Sequence, residues 1–289
     1  MNGTIDGFSY GAVTPVAGYI MACFGSALGL RCTTRSLLFT KSLRPGWLAL
    51  GAGAIGSGIW SMHFIAMLGF SVQEVPVGYN WPMTYGSLAV AIVMVSIGVF
   101  IVGYRKATVF ALLTGGVITG LGVATMHYMG MAAMRMDGAS LRYDTGTVAL
   151  SALIAVVAAT AALWASVQVK GLLWSLGAAL IMGVAVTGMH YTGMAAVKVH
   201  IHSTADISAY GTSSFDMLVP MLIGPLAFLA LAGAVVMIDP LMISAPDAHG
   251  ATAPRRLSVD LPSLASQSGG REREREREQG RERERVRVG

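Results

Sequence analysis

At 289 residues, with 54% hydrophobic and 12% charged side chains, the chain carries about half the charge of a soluble globular protein, where roughly a quarter is usual. That balance excludes a domain dissolved in water, and the net charge of +5 must be read by position rather than as a sum. Two cysteines, Cys23 and Cys32, lack the spacing of a zinc site or redox pair and read as free thiols.

Taken in chain order, residues 1–10 hold one charge, Asp6, and precede an apolar stretch from Gly11 to Leu30. With no basic segment before it and no cleavage site, this stretch reads as a retained membrane span. A basic loop follows with Arg31, Arg35, Lys41 and Arg44, then a second apolar stretch, Trp47 to Phe70, containing SMHFIAM at residues 61–67. Glu74 marks the next loop, Thr84 to Gly103 the third stretch, and Arg105 and Lys106 the loop after it. The fourth stretch, Val109 to Met134, contains TMHYMGM at 125–131 and is followed by Arg135, Asp137, Arg142 and Asp144. Thr147 to Val167 is the fifth, with Lys170 after it, and Leu172 to Val197 the sixth, containing GMHYTGM at 188–194. Lys198, Asp206 and Asp216 lie beyond it, and Met217 to Ile238 is the seventh.

Each stretch has the roughly 20 residues a membrane-spanning helix needs, and none contains Asp, Glu, Lys or Arg. The expected fold is therefore all-α, a polytopic membrane protein with seven transmembrane helices. The loops after spans 1, 3 and 5 are basic and the alternate loops are not, so the positive-inside rule sets the N-terminus outside and the C-terminus in the cytoplasm. Tyr79, Trp81, Tyr85 and Tyr143 would form an aromatic belt at the outer interface.

His63, His127 and His190 are spaced by 64 and 63 residues, so spans pair into three helical-hairpin repeats with the motif on the second helix of each, plus an unpaired seventh. On a helix, residues i and i+4 share a face. His63 with Met67, His127 with Met131, and His190 with Met194 each present an imidazole and a thioether together, while Met62, Met126 and Met189 point about 100° away. Neutral imidazole, the form an apolar span favours, binds metals, and soft thioethers select copper, above all Cu(I), over magnesium, calcium or manganese. Zinc fits less well because the motifs hold neither thiolate nor carboxylate. Tyr128 and Tyr191 follow their histidines and would support a bound ligand from behind, where the first repeat has Phe64. Ala66, Gly130 and Gly193 occupy an equivalent small position, making room for a ligand or for a neighbouring helix. The Gly116-to-Gly120 spacing suits close helix packing, and packing alone is the alternative account of the motifs: a histidine tether with methionine filling the core.

The three motifs make residues 11–238 similar to the MHYT-domain family of bacterial integral membrane sensors, whose name is spelled intact at Met189 to Thr192. The resemblance implies copper held near the outer face of the cytoplasmic membrane by Met62, His63, Met67, Met126, His127, Met131, Met189, His190 and Met194. It further implies sensing of oxygen, carbon monoxide or nitric oxide, signalled through a separate cytoplasmic partner. Copper uptake and haem binding are the alternatives, because soft donors near one face suit an import path and His and Met are haem ligands. No nucleophile, base and carboxylate arrangement supports an enzyme. Beyond residue 238 the composition turns to Ala, Pro, Ser, Arg and Glu, and from Arg271 eight Arg alternate with six Glu. Residues 239–289 read as a disordered cytoplasmic tail without an output enzyme, and its small net charge does not point to nucleic acid.

Overall fold

The computed structural model describes residues 3–38, 43–105, 108–168, 171–202 and 214–238. The tail after Ile238, and Lys41, Lys106, Lys170 and Asp206 of the charge pattern, lie outside the described residues. Seven helices are long and apolar enough to cross a membrane: α1 (Val13–Leu38), α2 (Arg44–Leu68), α3 (Trp81–Tyr104), α4 (Val109–Ala132), α5 (Thr145–Gln168), α6 (Leu172–Ala195) and α7 (Ser214–Ile238). Their outward side chains, such as Val157, Ile181, Leu231 and Met237, are apolar and exposed. A surface of that kind belongs against lipid tails, and the chain is a multi-pass membrane protein.

Several helices run past the apolar stretches that announce them. α1 takes in Arg31 and Arg35, α2 begins at Arg44, and α7 includes Asp216 in its first turn. The three motif histidines are thus not the sole ionisable groups on the helices, although these others lie within the last two turns of α1 or the first turn of α2 or α7. At the basic end, Arg35 lies over the Trp47 ring at 5.8 Å, and Arg44 lies over Tyr104 at 5.3 Å and donates to the Gly103 carbonyl. Helix starts are marked by side-chain caps: Asn80 Oδ1 accepts from Met83 N at 3.0 Å, Thr108 Oγ1 from Ala111 N at 3.2 Å, and Asp144 Oδ1 from Thr147 N at 2.9 Å. Each satisfies an amide that has no partner within the first turn.

From α1 to α6 each helix packs on the next and α6 closes on α1, giving a ring of six, while α7 packs against α2 and α1. The second helices α2, α4 and α6 also touch one another. Glycine permits the close approaches, because a helix without Cβ atoms admits its neighbour's backbone. A Cβ on Gly25 would lie 2.7 Å from Gly58 Cα, which joins α1 to α2. On α4, a Cβ at Gly116 would lie 2.8 Å from Thr160 Cα and one at Gly120 2.6 Å from Val156 N, so the GxxxG pair is the contact with α5.

Short strands cap the motif end of the bundle: β1 (Ile5–Asp6), β2 (Ser71–Val72), β3 (Gly78–Tyr79), β4 (Met134–Arg135), β5 (Ala139–Tyr143) and β6 (Val197–Ile201). They pair antiparallel as β1–β2, β3–β4 and β5–β6. Each repeat is therefore strand, helix, helix, strand, with its first and last strands hydrogen-bonded to each other. In β6 the alternation is clean, with Val197, Val199 and Ile201 buried and Lys198 exposed. The N-terminal segment crosses this cap. Gly3 N donates to Val199 O at 3.0 Å, and Thr4 N reaches the Glu74 carboxylate at 2.9 Å. Of the expected belt, Trp81, Tyr85 and Tyr143 are exposed at this end. Tyr79 is instead buried beneath the cap, its ring edge-on to Phe64 at 6.1 Å.

Candidate metal centre

Each hairpin delivers one histidine to the axis where α2, α4 and α6 meet. His63, His127 and His190 are each 1% exposed, and their ring centroids lie 4.9, 5.0 and 5.1 Å apart with the planes crossing at 77–88°. The arrangement is close to threefold, as a repeat of 64 and 63 residues would produce. His63 Nδ1 lies 3.0 Å from His190 Nδ1 and 3.2 Å from His127 Nδ1, and one nitrogen from each ring falls within 4.8 Å of the others.

Hydrogen bonding does not explain that convergence. An imidazole Nδ1 has one in-plane site, holding either a proton or a lone pair. His63 Nδ1 faces two partners and can make a well-aligned bond to one. Three lone pairs aimed at a common point are satisfied together by a cation. Metal–imidazole bonds of about 2.0–2.1 Å put tetrahedral donors roughly 3.3 Å apart and trigonal donors about 3.5 Å apart, so the two spacings from His63 Nδ1, 3.0 and 3.2 Å, lie within a few tenths of an ångström of those values.

The far sides of the rings are set by the small residue three positions after each histidine. A Cβ on Gly130 would lie 2.6 Å from His63 Nε2, and one on Gly193 would collide with His127 Nε2 and lie 2.9 Å from its Cδ2. Gly130 and Gly193 thus each make the bed for the previous repeat's imidazole. The third residue of the set, Ala66, is also buried. Nε2 of His63 and of His127 is buried with no hydrogen-bond partner, so what fixes these rings is shape on one side and the convergence of nitrogens on the other. Of the two accounts open to Gly130 and Gly193, room for a neighbouring helix is therefore the one that applies, with the histidine as the group accommodated.

The methionines share one core cluster around the triad. Met62, Met67, Met126, Met131 and Met189 are fully buried, and Met194 packs against them partly exposed. Met62 Cγ stands 3.5 Å from where a Gly18 Cβ would be, facing α1. Met189 lines an apolar cavity of about 50 Å³ inside the ring of helices, and Met131 lines an open cavity on the strand-capped side. The motif methionines therefore face more than one side of this core. The Tyr128 hydroxyl bonds Ser151 Oγ on α5 at 2.6 Å. Tyr191 stacks on Phe8 at 5.6 Å, with its hydroxyl buried and unpartnered. Phe64 fills the equivalent position beneath Trp60 at 4.6 Å. His202, just beyond β6, shares a hydrogen bond with Ser140 at 2.7 Å on the cap. Cys23 and Cys32 are free thiols.

The three motif repeats are matched in known proteins. The MHYT family, described as the bacterial signalling protein N-terminal repeat, matches three times, over residues 56–115, 120–179 and 183–242. The chain is 36% identical over 236 residues to MucR, a bifunctional diguanylate cyclase/cyclic di-GMP phosphodiesterase of Pseudomonas aeruginosa, covering 80% of the chain and 34% of MucR. It is 37% identical over 161 residues to the cyclic di-GMP phosphodiesterase NbdA of that organism, covering 54% of the chain and 20% of NbdA. The signaling protein YkoW of Bacillus subtilis is 30% identical over 188 residues, covering 63% of the chain and 23% of YkoW. The chain thus spans about a third or less of the length of these relatives, and no solved structure matches it. With three buried histidines in register on three matched repeats, the chain belongs to the MHYT family of bacterial signalling proteins.

Proposed function

We propose that this bundle is a membrane sensor that holds copper between His63, His127 and His190, with the motif methionines Met62, Met67, Met126, Met131, Met189 and Met194 as the surrounding soft donors. The observation that carries the reading is the convergence of Nδ1 atoms at 3.0 and 3.2 Å in a core sealed from water. Sulfur donors around the imidazoles favour copper over harder cations. A bound Cu(I) supplies a soft, redox-active centre able to take oxygen, carbon monoxide or nitric oxide. The chain's own part is to hold three rings in register, to exclude water, and to tie three hairpins to one point. Tyr128 and Tyr191 act from behind the rings, through the α5 contact and the N-terminal segment.

A haem is disfavoured by the same spacing. Two axial imidazoles on opposite faces of one iron stand about 4 Å apart, twice a metal–nitrogen bond, with the macrocycle between them, and here a third ring fills the space beside the pair. An import path is disfavoured by the interior cavity below the triad, whose lining is mostly apolar, with Leu30, Ile55, Val95, Val123 and Leu163, and supplies Met182 and Met189 as its soft donors, too few for a chain of sites. The grouping of Arg35, Arg44 and Arg105 at the end away from the triad supports the cytoplasmic membrane as location, with the N-terminus outside and the C-terminus inside. Residues 1–10 then cover the outer face, 11–238 form the sensor, and 239–289 extend into the cytoplasm. A separate cytoplasmic partner reads the signal, and the names of MucR and NbdA suggest a cyclic di-GMP enzyme.

The test is metal content by mass spectrometry of the detergent-purified chain, beside a variant with H63A, H127A and H190A. Copper retained by the parent and lost from the variant, with both still helical and equally dispersed, is the expected result. A parent that takes up no copper, even after anaerobic loading with Cu(I), refutes the reading.

A further inference from the structure

The motif end of α4 differs from its counterparts in a way the triad does not require. Seven and nine residues after His127 stand Met134 and Met136. The same offsets from His63 give Phe70 and Val72, and from His190 give Val197 and Val199. All four of those counterparts are buried apolar cap residues. The second repeat alone fills both positions with thioethers, which extend the line begun by Met131, the methionine that each motif places one helical turn beyond its histidine.

These three methionines share one cavity of about 470 Å³, open toward the cap, whose wall also carries Asp137 and Tyr143. Met136 is partly exposed, Met134 nearly buried and Met131 fully buried, so the sulfurs form a graded series from solvent toward His127. A second cavity of about 460 Å³ shares Arg135 and Asp137 with the first and has Met217 on its wall. Packing needs apolar volume at positions 134 and 136, which Val or Phe supplies in the other repeats. It does not need sulfur.

We infer that the cavity lined by Met136, Met134 and Met131 is the entrance through which a soft monovalent metal ion reaches the histidine triad, passing from sulfur to sulfur. This rests on the metal reading of the triad and adds its route of loading. Thioethers suit such a passage because they bind soft ions as neutral donors. Each move exchanges one sulfur ligand for another, and neither a proton nor an electron is transferred.

The experiment follows uptake of Ag(I), a redox-silent soft ion, by the purified full chain under rapid mixing, and measures final stoichiometry separately. The parent is compared with M134L/M136L, a near volume-conserving change that keeps the apolar packing, and with H63A/H127A/H190A. Slower uptake by several-fold in M134L/M136L, reaching the parental stoichiometry, is expected, while the histidine variant reaches little or none. Unchanged uptake in M134L/M136L overturns the route and leaves the triad standing. Lowered stoichiometry at an unchanged rate also overturns it, assigning these sulfurs to the holding site. A parent that takes up no ion removes the metal reading and the route together. Equal helicity and unfolding temperature in M134L/M136L and the parent show that the comparison is between folded proteins.

Discussion

Substituting Gly130 by alanine tests whether the imidazoles are held by shape. The new Cβ would lie 2.6 Å from His63 Nε2, 3.1 Å from its Cδ2 and 3.2 Å from Phe64 Cζ, where ordinary contact begins near 3.4 Å. Phe64 blocks one direction of relief, so the His63 ring must retreat by about 0.8 Å toward the axis or turn out of it. An imidazole is rigid, and the displacement carries to Nδ1. Metal–ligand distances tolerate only about 0.2 Å, and disturbing the groups that orient ligands typically costs roughly 10–100-fold in metal affinity. Overpacking of this size costs about 1–3 kcal/mol of stability. G130A is expected to weaken copper at least about ten-fold in competition with a Cu(I) chelator, and G193A, which crowds His127, to do the same. The control is G188A, on the helix of the third motif, where an added Cβ meets nothing within 4 Å; it should bind as the parent does. Parental affinity in both G130A and G193A would refute the argument that these glycines set the ring positions.

Three further outcomes follow from the same structure. The H63A/H127A/H190A variant should lose metal, checked by mass spectrometry, while keeping its helical circular dichroism. G120A places a Cβ 2.6 Å from Val156 N and 2.8 Å from Ala155 C; this is backbone that cannot swing aside, so thermal unfolding in detergent should show a loss of about 1–3 kcal/mol or more. Hydrogen bonds from Thr4 hold Glu74 below the usual carboxylate range, so its stabilising contribution is present above the usual carboxylate pKa and is lost as pH falls through the lower, folded value. Hydrogen-exchange protection of the Thr4 amide should persist at neutral pH and disappear in acid, and E74Q should remove that pH dependence.

Much of this architecture was legible because a membrane leaves so few choices. A span must satisfy its own backbone and be apolar for about 20 residues, so seven helices, their pairing and the depth of the three histidines all follow from composition and a period of 64 and 63 residues. Convergence was harder, since a row of hairpins has the same period as a ring; only the closure of α6 on α1 decides it. The cap strands escaped notice because β1 to β4 are two residues each, too short for alternation to register. β6 was readable, as the alternation of Val197, Val199 and Ile201 with Lys198 and His200 is a strand signal. Tyr79 was misplaced in the aromatic belt because an amphipathic ring near a span end looks the same in sequence whether it faces lipid or lies beneath a strand.

The threefold pattern also shows where a signal can leave the site. A ligand shared by three histidines stabilises only those arrangements of α2, α4 and α6 that bring the three rings together, and it shifts the bundle only by the difference in its affinity for the states available. Nothing in a symmetric ring would favour one exit over another. α7 breaks that symmetry, because it packs on α2 and α1 and its Phe228 ring lies 2.9 Å from where a Gly53 Cβ would be. A movement of the first hairpin relative to the other two is therefore passed to α7, whose last described residue, Ile238, leads into the C-terminal segment. Of the three helices that carry the triad, α2 with His63 is the one that packs on α7. The contact of Gly53 with Phe228 is thus where, on the proposed reading, a change at the triad would first bear on α7.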